Sequence, residues 1–396
     1  MLPETLLAIA AACLLTAACA DVPGQARLPR IEGIGLRETR IPSAVDTVEQ
    51  PIIFGVPDPL PEGPLPLLVG LHTWSGEYRQ MVEEYPRQAA RRKWLVVLPH
   101  FRGPNLTTNP NARQAGGSIL AQHDIVDAVN WMREQFPVDP RRIIIIGGSG
   151  GGHMTSLMCT KYPDLFAAGV AYCPITDMRA WQAQHNGYQQ HIEAVCGGAP
   201  GDSPQVDFEY ARRSPRTFIT NAAHCNLLLA HGDKDATIWP EQTWETFRGL
   251  KDLPDHKVLF ESWSAGHVGK TSEGLDWAAT KVRSDTPPAR LDIVTDEEKP
   301  YFWLTLGPAA DLTFARCTAV LTRGGQVVAK DTLAPETVLR LQVADAALVR
   351  VSLDALGLTA PANLPENLAL EGSDLVAHPG PGQHLFTIRF EDAQAE

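Results

Sequence analysis

One serine sits inside a run of glycines: Gly147-Gly148-Ser149-Gly150-Gly151-Gly152, directly after the isoleucines Ile143 to Ile146. A serine hydroxyl is a weak nucleophile and attacks an acyl carbon only when a neighbouring base takes its proton. The stretch reads G-x-S-x-G between a strand-like apolar run and a helix-like one. In that context a sharp turn lifts a nucleophilic serine above a sheet. Small neighbours let strand and helix pack closely on either side. The competing use of such a cluster, cradling a phosphate, requires G-x-x-x-x-G-K-[ST], and no lysine lies between Ser149 and Lys161.

A serine of this kind needs a histidine base and an acid to orient it, with the acid first in the chain and the histidine later. "LLLAHGDKDATI" (Leu227–Ile238) and "ESWSAGHVGK" (Glu261–Lys270) follow in that order. His267 stands in a Gly-His turn beyond the last expected strand and is the candidate base. It must be neutral to accept the serine proton, so activity is expected to fall in acid. Asp233 and Asp235 compete for the acid. Asp235 fits the spacing H-G-x-x-D-x-x-[VI] through His231, Gly232 and Ile238, which leaves Asp233 as a turn residue capping its own backbone and His231 as structural. The oxyanion formed by attack needs preorganised donors. One is expected from the N–H of Gly150. The other is expected from "LHTWSGEY" (Leu71–Tyr78), through the N–H of Thr73 or Trp74. The Trp74 ring would either wall an acyl pocket or pack in the core.

These residues need elements to hold them. Leu65–His72, Trp94–His100, Arg142–Gly148, Phe166–Cys173, Asn226–Gly232 and Lys257–Trp263 read as strands, nearly apolar throughout. Such strands are buried on both faces, as in a parallel sheet. Helix patterns lie between them at Ala121–Gln135, Gly150–Lys161, Glu241–Lys251 and Ser272–Val282. The alternation predicts an α/β sheet with helices on both faces. Two regions break it. Residues 177–222 are polar, with Trp181, Tyr188 and Tyr210 scattered through them, and would form an inserted cap. "SDTPPAR" (284–290) reads as a linker. Beyond it, "YFWLTL", "TAVLTR", "QVVAKDT", "VLRLQV", "LVRVSL" and "HLFTIRF" are short alternating runs that predict a small all-β domain over 291–396. Since all candidate catalytic residues precede the linker, residues 26–283 are expected to be a catalytic domain whose chemistry does not depend on the β domain, which would either hold a polymer or cell-surface partner or pack on the catalytic domain and stabilise it.

Residues ~50–283 resemble an α/β-hydrolase and, more narrowly, the catalytic domain of the prolyl oligopeptidase family. "GGSGGG", "HGDKDATI" and "SAGHVG" carry the resemblance in the expected order, and "PITDMRAW" and "CGGAPG…RRSP" resemble cap segments of bacterial members. The resemblance implies acyl hydrolysis with Ser149 as nucleophile, Asp235 as acid and His267 as base, and no cofactor. Common relatives have His-Gly-Gly where this chain has His72-Thr73-Trp74. Peptidases of that family carry a large β-propeller before the catalytic domain, and the stretch from Asp21 to Pro64 is too short for one. The expectation is therefore a serine carboxylesterase, with an exopeptidase or oligopeptidase as the alternative.

Composition agrees with an ordinary globular enzyme: 396 residues, 44% hydrophobic and 20% charged. A formal charge of −12 and the lack of a basic run argue against nucleic acid as a partner. Thr5 to Ala20 carries no charge, is short for a membrane span and suits the apolar region of a signal peptide, taken as residues 1–20. Its start has Glu4 and no Lys or Arg. Ala18-Cys19-Ala20 fits a cleavage site. Thr16–Cys19 is a loose lipoprotein box, and Ala10–Cys13 a second candidate. Export is expected, to a bacterial periplasm, an outer-membrane lipid anchor or the medium. The partner would be an ester, as a small molecule or an acylated polymer. Cys159, Cys173, Cys196, Cys225 and Cys317 are an odd number, so one at least stays unpaired, and Cys159 reads as a core thiol. No spacing suggests a metal site.

Overall fold

The computed structural model describes residues 27–185, 187–253, 255–324, 326–327 and 337–390. The expected signal segment, residues 1–20, lies outside them, as does most of "QVVAKDT". The chain opens with a hairpin that the sequence pattern did not suggest, β1 (Ile34–Pro42) and β2 (Glu49–Pro57). There follow β3 (Leu65–Gly70), α1 (Glu84–Arg92), β4 (Leu95–Pro99), α2 (Ile119–Gln135), β5 (Val138–Gly148), α3 (Gly150–Lys161) and β6 (Ala168–Tyr172). Between β6 and the next strand come three short α-helices, α4 (Met178–Gln182), α5 (Gln189–Cys196) and α6 (Pro204–Arg212), and then a 3-10 helix over Pro215–His224. Then follow β7 (Asn226–Gly232), α7 (Pro240–Arg248), β8 (Leu259–Trp263) and α8 (Thr271–Ala279).

The eight strands lie in the order β1-β2-β4-β3-β5-β6-β7-β8. β1, β2 and β4 pair antiparallel, and the rest are parallel from β4 through β3 to β8. This is an α/β-hydrolase fold. Its central strands are apolar at every position because alternate residues feed two cores. Leu67, Val69, Ile143 and Ile145 pack on one face, and Leu68, Val96, Ile144 and Ile146 on the other. α2 begins at Ser118, whose hydroxyl accepts from Ala121 N–H. Both α7 and α8 stop short of the predicted ends, at Arg248 and Ala279.

A second sheet, antiparallel throughout, follows. Its strands are β9 (Arg290–Thr295), β10 (Lys299–Tyr301), β11 (Leu304–Pro308), β12 (Ala315–Arg323), β13 (Gln326–Val327), β14 (Thr337–Ser352), β15 (Ala369–Glu371), β16 (Asp374–Ala377) and β17 (Gly380–Phe390). The runs "VLRLQV" and "LVRVSL", read as separate strands, are one strand, β14. Asp345 takes φ +54, and the register shifts there. The kink lets the first half of β14 pair with β12 and β17 and the second half with β11 and β16. This sheet has its own core, built on Trp303, Leu306, Leu341, Val349 and Ile388 among others.

The two sheets also share contacts. Val294 and Phe314 pack into the hydrolase core, and the Phe314 ring lies 4.8 Å from Phe208 and 5.7 Å from Phe218. Asn221 exchanges two 2.8 Å hydrogen bonds with the backbone of Val294. Lys161, at the end of α3, is fully buried with its Nζ 2.6 Å from Asp296, and Arg212 of α6 reaches the same carboxylate at 2.8 Å. Among the described residues no helix is long and apolar enough to cross a membrane, and Cys159, Cys173, Cys196, Cys225 and Cys317 are all buried free thiols.

Candidate active site

The candidate residues lie on loops at the C-terminal ends of the parallel strands β3, β5, β7 and β8. Ser149 follows β5, with φ +57 and ψ −121, a left-handed conformation that a residue with a side chain adopts only under constraint. The constraint is visible. Ser149 N–H donates to Tyr172 O at the end of β6 (2.8 Å), and the Ser149 carbonyl starts α3 by accepting from His153 N–H (2.8 Å). The glycines answer to crowding. A methyl on Gly150 would stand 2.2 Å from Trp74 N and 2.4 Å from its Cα, so this backbone and the loop after β3 lie in contact.

The loops after β7 and β8 are tied by backbone hydrogen bonds, Asp233 N–H to Trp263 O and Lys234 N–H to Ala265 O, both 2.9 Å. That pairing brings Asp235 Oδ2 to 2.6 Å from His267 Nδ1. Oδ1 accepts from the N–H groups of Thr237 (2.8 Å) and Ile238 (3.1 Å). The Asp235 side chain is fully buried, while His267 is partly open to solvent. Asp233 is exposed and makes no side-chain hydrogen bond among the described residues. The turn-capping role expected of it falls instead to Asp235, because only that carboxylate points back into its own loop. With the Nδ1 proton given to Asp235, the neutral His267 ring keeps Nε2 as an acceptor. The loop of His267 returns towards the serine: the Cys173 thiol, one residue after the Tyr172 that holds Ser149, donates to Val268 O at 3.5 Å.

His231 is more than structural filler. Its Nε2 lies 3.1 Å from the same Asp235 Oδ2 and 3.0 Å from Ile238 O, and its Nδ1 2.8 Å from Thr243 Oγ1. Both neighbours of Nε2 are acceptors, so Nε2 carries the proton, and Nδ1 of the neutral ring accepts from the Thr243 hydroxyl. Burial works to raise the Asp235 carboxyl. The hydrogen bonds from His231 and then His267 overcome it, and the group is held far below the usual carboxylate range. Burial pushes the nearby Cys173 thiol up to about 12, with the Asp235 charge adding to the effect. Cys173, His231 and Asp235 offer donors within 4.8 Å of one another. Yet both His231 nitrogens are committed to hydrogen bonds and the thiol is held protonated, so the set does not suit a metal.

For the second oxyanion donor the geometry separates the two candidates. Thr73 N–H donates to Gln80 Oε1 at 2.8 Å, and the Thr73 hydroxyl shares that amide. Among the described residues Trp74 N–H has no acceptor, its nitrogen lies against Gly150, and the Gly150 N–H at the start of α3 has no acceptor either. The Trp74 ring packs in the core. It is 2% exposed and belongs to the core between the sheet and α4–α6, with Trp181, Ile192, Val195 and Tyr210. The roles of Gln80 and Trp181 had no signature in the sequence. That of His231 had one, since a histidine four residues before the acid can reach back to it.

Residues 89–283 match the prolyl oligopeptidase family. Acetylxylan esterase A of Emericella nidulans is 24% identical over 197 residues, which cover 48% of this chain and 63% of that protein. An acetylxylan esterase of Coprinopsis cinerea is 31% identical over 115 residues, 27% of this chain and 30% of that one. The match thus spans less than two thirds of each relative. Among solved structures, an acylaminoacyl peptidase in complex with Z-Gly-Gly-Phe-chloromethyl ketone superimposes with a TM-score of 0.53 at 22% identity, covering 64% of this chain and 42% of that one. The Pyrococcus horikoshii acylaminoacyl peptidase gives 0.52 at 20% identity, with the same coverage. At such identities these structures speak to the fold alone.

Proposed function

We propose that this chain is an exported serine hydrolase that cleaves carboxylic esters through an acyl-enzyme. The observation that carries the reading is the 2.6 Å contact between His267 and Asp235, in a loop linked through Val268 and Cys173 to the strand end that holds Ser149 at φ +57. In the first step Ser149 Oγ attacks the acyl carbon while His267 Nε2 takes the hydroxyl proton. Asp235 holds the imidazole in the required tautomer and stabilises its cation. The charge on the former carbonyl oxygen is met by the N–H groups of Gly150 and Trp74. The tetrahedral intermediate collapses, and the alcohol leaves with the proton from His267. Water, deprotonated by the same imidazole, then releases the acid and restores Ser149.

Two considerations favour an ester over a peptide. The curated relatives are named acetylxylan esterases, which favours an acylated polysaccharide. An exopeptidase would need free carboxylates to hold a charged amino end, and the five acids of residues 177–222 are all engaged. Asp177 caps α4 and faces Arg216. Glu193 accepts from Gln182, and Asp202 from Ala199 N–H. Asp207 pairs with Arg179 and Glu209 with Arg213. The test compares acetylated xylan and p-nitrophenyl acetate with aminoacyl p-nitroanilides, with Ser149→Ala as control and fluorophosphonate labelling to report the nucleophile. Ester turnover abolished in Ser149→Ala supports the reading. Turnover of the anilides alone would replace it with the exopeptidase.

A further inference from the structure

We infer that Trp181, on the first helix of the inserted segment, is a positioning residue that ties the oxyanion loop to the acid loop, so that this segment acts as a clamp rather than a cover. The inference rests on the proposed esterase reading. Trp181 is 1% exposed, and its two ends meet different parts of the site. Its ring meets Trp74 edge to face, with centroids 4.8 Å apart and planes at 78°. Its indole N–H donates to Thr237 O at 3.1 Å, and Thr237 N–H in turn donates to Asp235 Oδ1.

The need for this tie is visible on both sides. Trp74 Nε1 is buried without a hydrogen-bond partner, so packing holds the Trp74 side chain, and Trp181 supplies an aromatic edge of that packing. On the other side the acid loop carries Asp235 across a single short turn, and the bond to Thr237 O is made by a side chain from outside that turn. α4 is itself anchored against α7. Asp177 N–H donates to Gln242 Oε1, and Trp239 N–H donates to Gln184 Oε1, both at 3.3 Å. Phenylalanine would fill much of the same volume. Tryptophan supplies both an aromatic edge for Trp74 and a donor at the far end, and phenylalanine lacks the donor.

Two substitutions separate the functions. Trp181→Phe keeps an aromatic edge and removes the donor, and Trp181→Leu removes both. The readouts are kcat and KM on p-nitrophenyl acetate, the rate of fluorophosphonate labelling of Ser149, and amide hydrogen exchange. In Trp181→Phe we expect kcat and labelling to fall together by about five- to tenfold, the size of one lost neutral hydrogen bond, with KM within about twofold. Exchange at Thr237 and Ile238 should quicken while that at Thr73 and Trp74 holds. In Trp181→Leu exchange should quicken in both loops. Unchanged exchange in the acid loop, or unchanged kcat per folded enzyme in Trp181→Phe, overturns the inference. Exchange is read without catalysis, so a wild-type enzyme that fails to label at Ser149 would overturn the esterase reading separately.

Discussion

Oδ2 of Asp235 lies 2.6 Å from Nδ1 of His267, while Asp233, two residues earlier, points to solvent. An amide at position 235 would present an N–H₂ group where the imidazole needs an acceptor, and the wrong tautomer would result. Asp235→Asn is therefore expected to lower kcat by about 10⁴-fold. Asp233→Asn should stay within about threefold, since surface changes far from any partner are nearly neutral. Steady-state kinetics on one small ester decides it, and a larger loss at 233 would move the acid.

The two glycines flanking the serine make opposite predictions. A methyl on Gly148 meets nothing closer than 3.9 Å, whereas on Gly150 it meets the backbone of Trp74 at 2.2 Å. Backbone cannot rotate away as a side chain can, so Gly150→Ala must push the oxyanion loop outward. Displacing one donor costs about 10²–10³ in kcat. Gly148→Ala should retain most activity. Equal kcat in the two variants would mean that Trp74 N–H is not a donor to the oxyanion.

Stability should begin to fall well above the range where carboxylates titrate. Burial lowers His72 to about 3, and His100 and His153 to about 4, from a model-peptide value of 6.5. Between 6.5 and about 4 the unfolded chain therefore binds protons that the folded chain refuses. Stability rises with pH through that window and is lost as pH drops through it. Asp235, held below its ordinary 3.8, stays ionised throughout and does not contribute to the loss there. Urea midpoints at pH 7, 6 and 5 should decline steadily. His153→Gln, whose amide can still donate to Arg213 O, should reduce the slope. A flat series from pH 7 to 4.5 would show that these rings take up protons as readily in the folded chain as in the unfolded one.

The candidate residues were more legible in the sequence than their setting. Ser149, Asp235 and His267 were picked out by motif and order, because a sharp strand-to-helix turn and the H-G-x-x-D spacing restrict the residues around them, and the fold brings Asp235 and His267 into contact. Five of the six expected strands, β3 to β7, were visible because burial on both faces demands apolar runs; the sixth, β8, is an edge strand whose residues are half-buried or exposed. β1 escaped notice because its residues are mostly half-exposed and polar, as in "LRETR". The unity of β14 was hidden by an Asp at the kink, a residue that usually ends a strand. The choice between Thr73 and Trp74 turned on the Gln80 side chain, and no local pattern announces a contact seven residues away in an irregular loop. The capping role expected of Asp233 failed for a related reason: two carboxylates stood in one turn, and only the fold could say which faced inward.

The last prediction concerns the strands after Arg290, which the sequence pattern treats as dispensable for chemistry. Three observations argue that removing them would damage the hydrolase. Lys161, on the helix that begins at Ser149, has no exposed side-chain surface and pairs with Asp296. Its ammonium also lies 5.0 Å from the Phe218 ring centre. Phe208 and Phe218 both pack on Phe314. A chain ending near Ser284 would leave that lysine without its counter-charge and those rings against water. We predict that it is insoluble, or unfolds at a lower temperature with the remaining activity lost. The ion pair can be isolated in the full chain. Asp296→Ala strands a buried cation and should cost about 3–5 kcal/mol in urea unfolding. Adding Lys161→Met removes the stranded charge and should recover most of that loss, while Arg212 keeps Glu209 as its partner at 3.3 Å. Asp296→Ala should lower stability without changing kcat/KM of the folded enzyme, since neither residue touches the site. If the truncated chain is soluble and keeps the full-length melting temperature and kcat/KM on p-nitrophenyl acetate, the second sheet is an appended module after all, and the buried pair is a local feature of the junction.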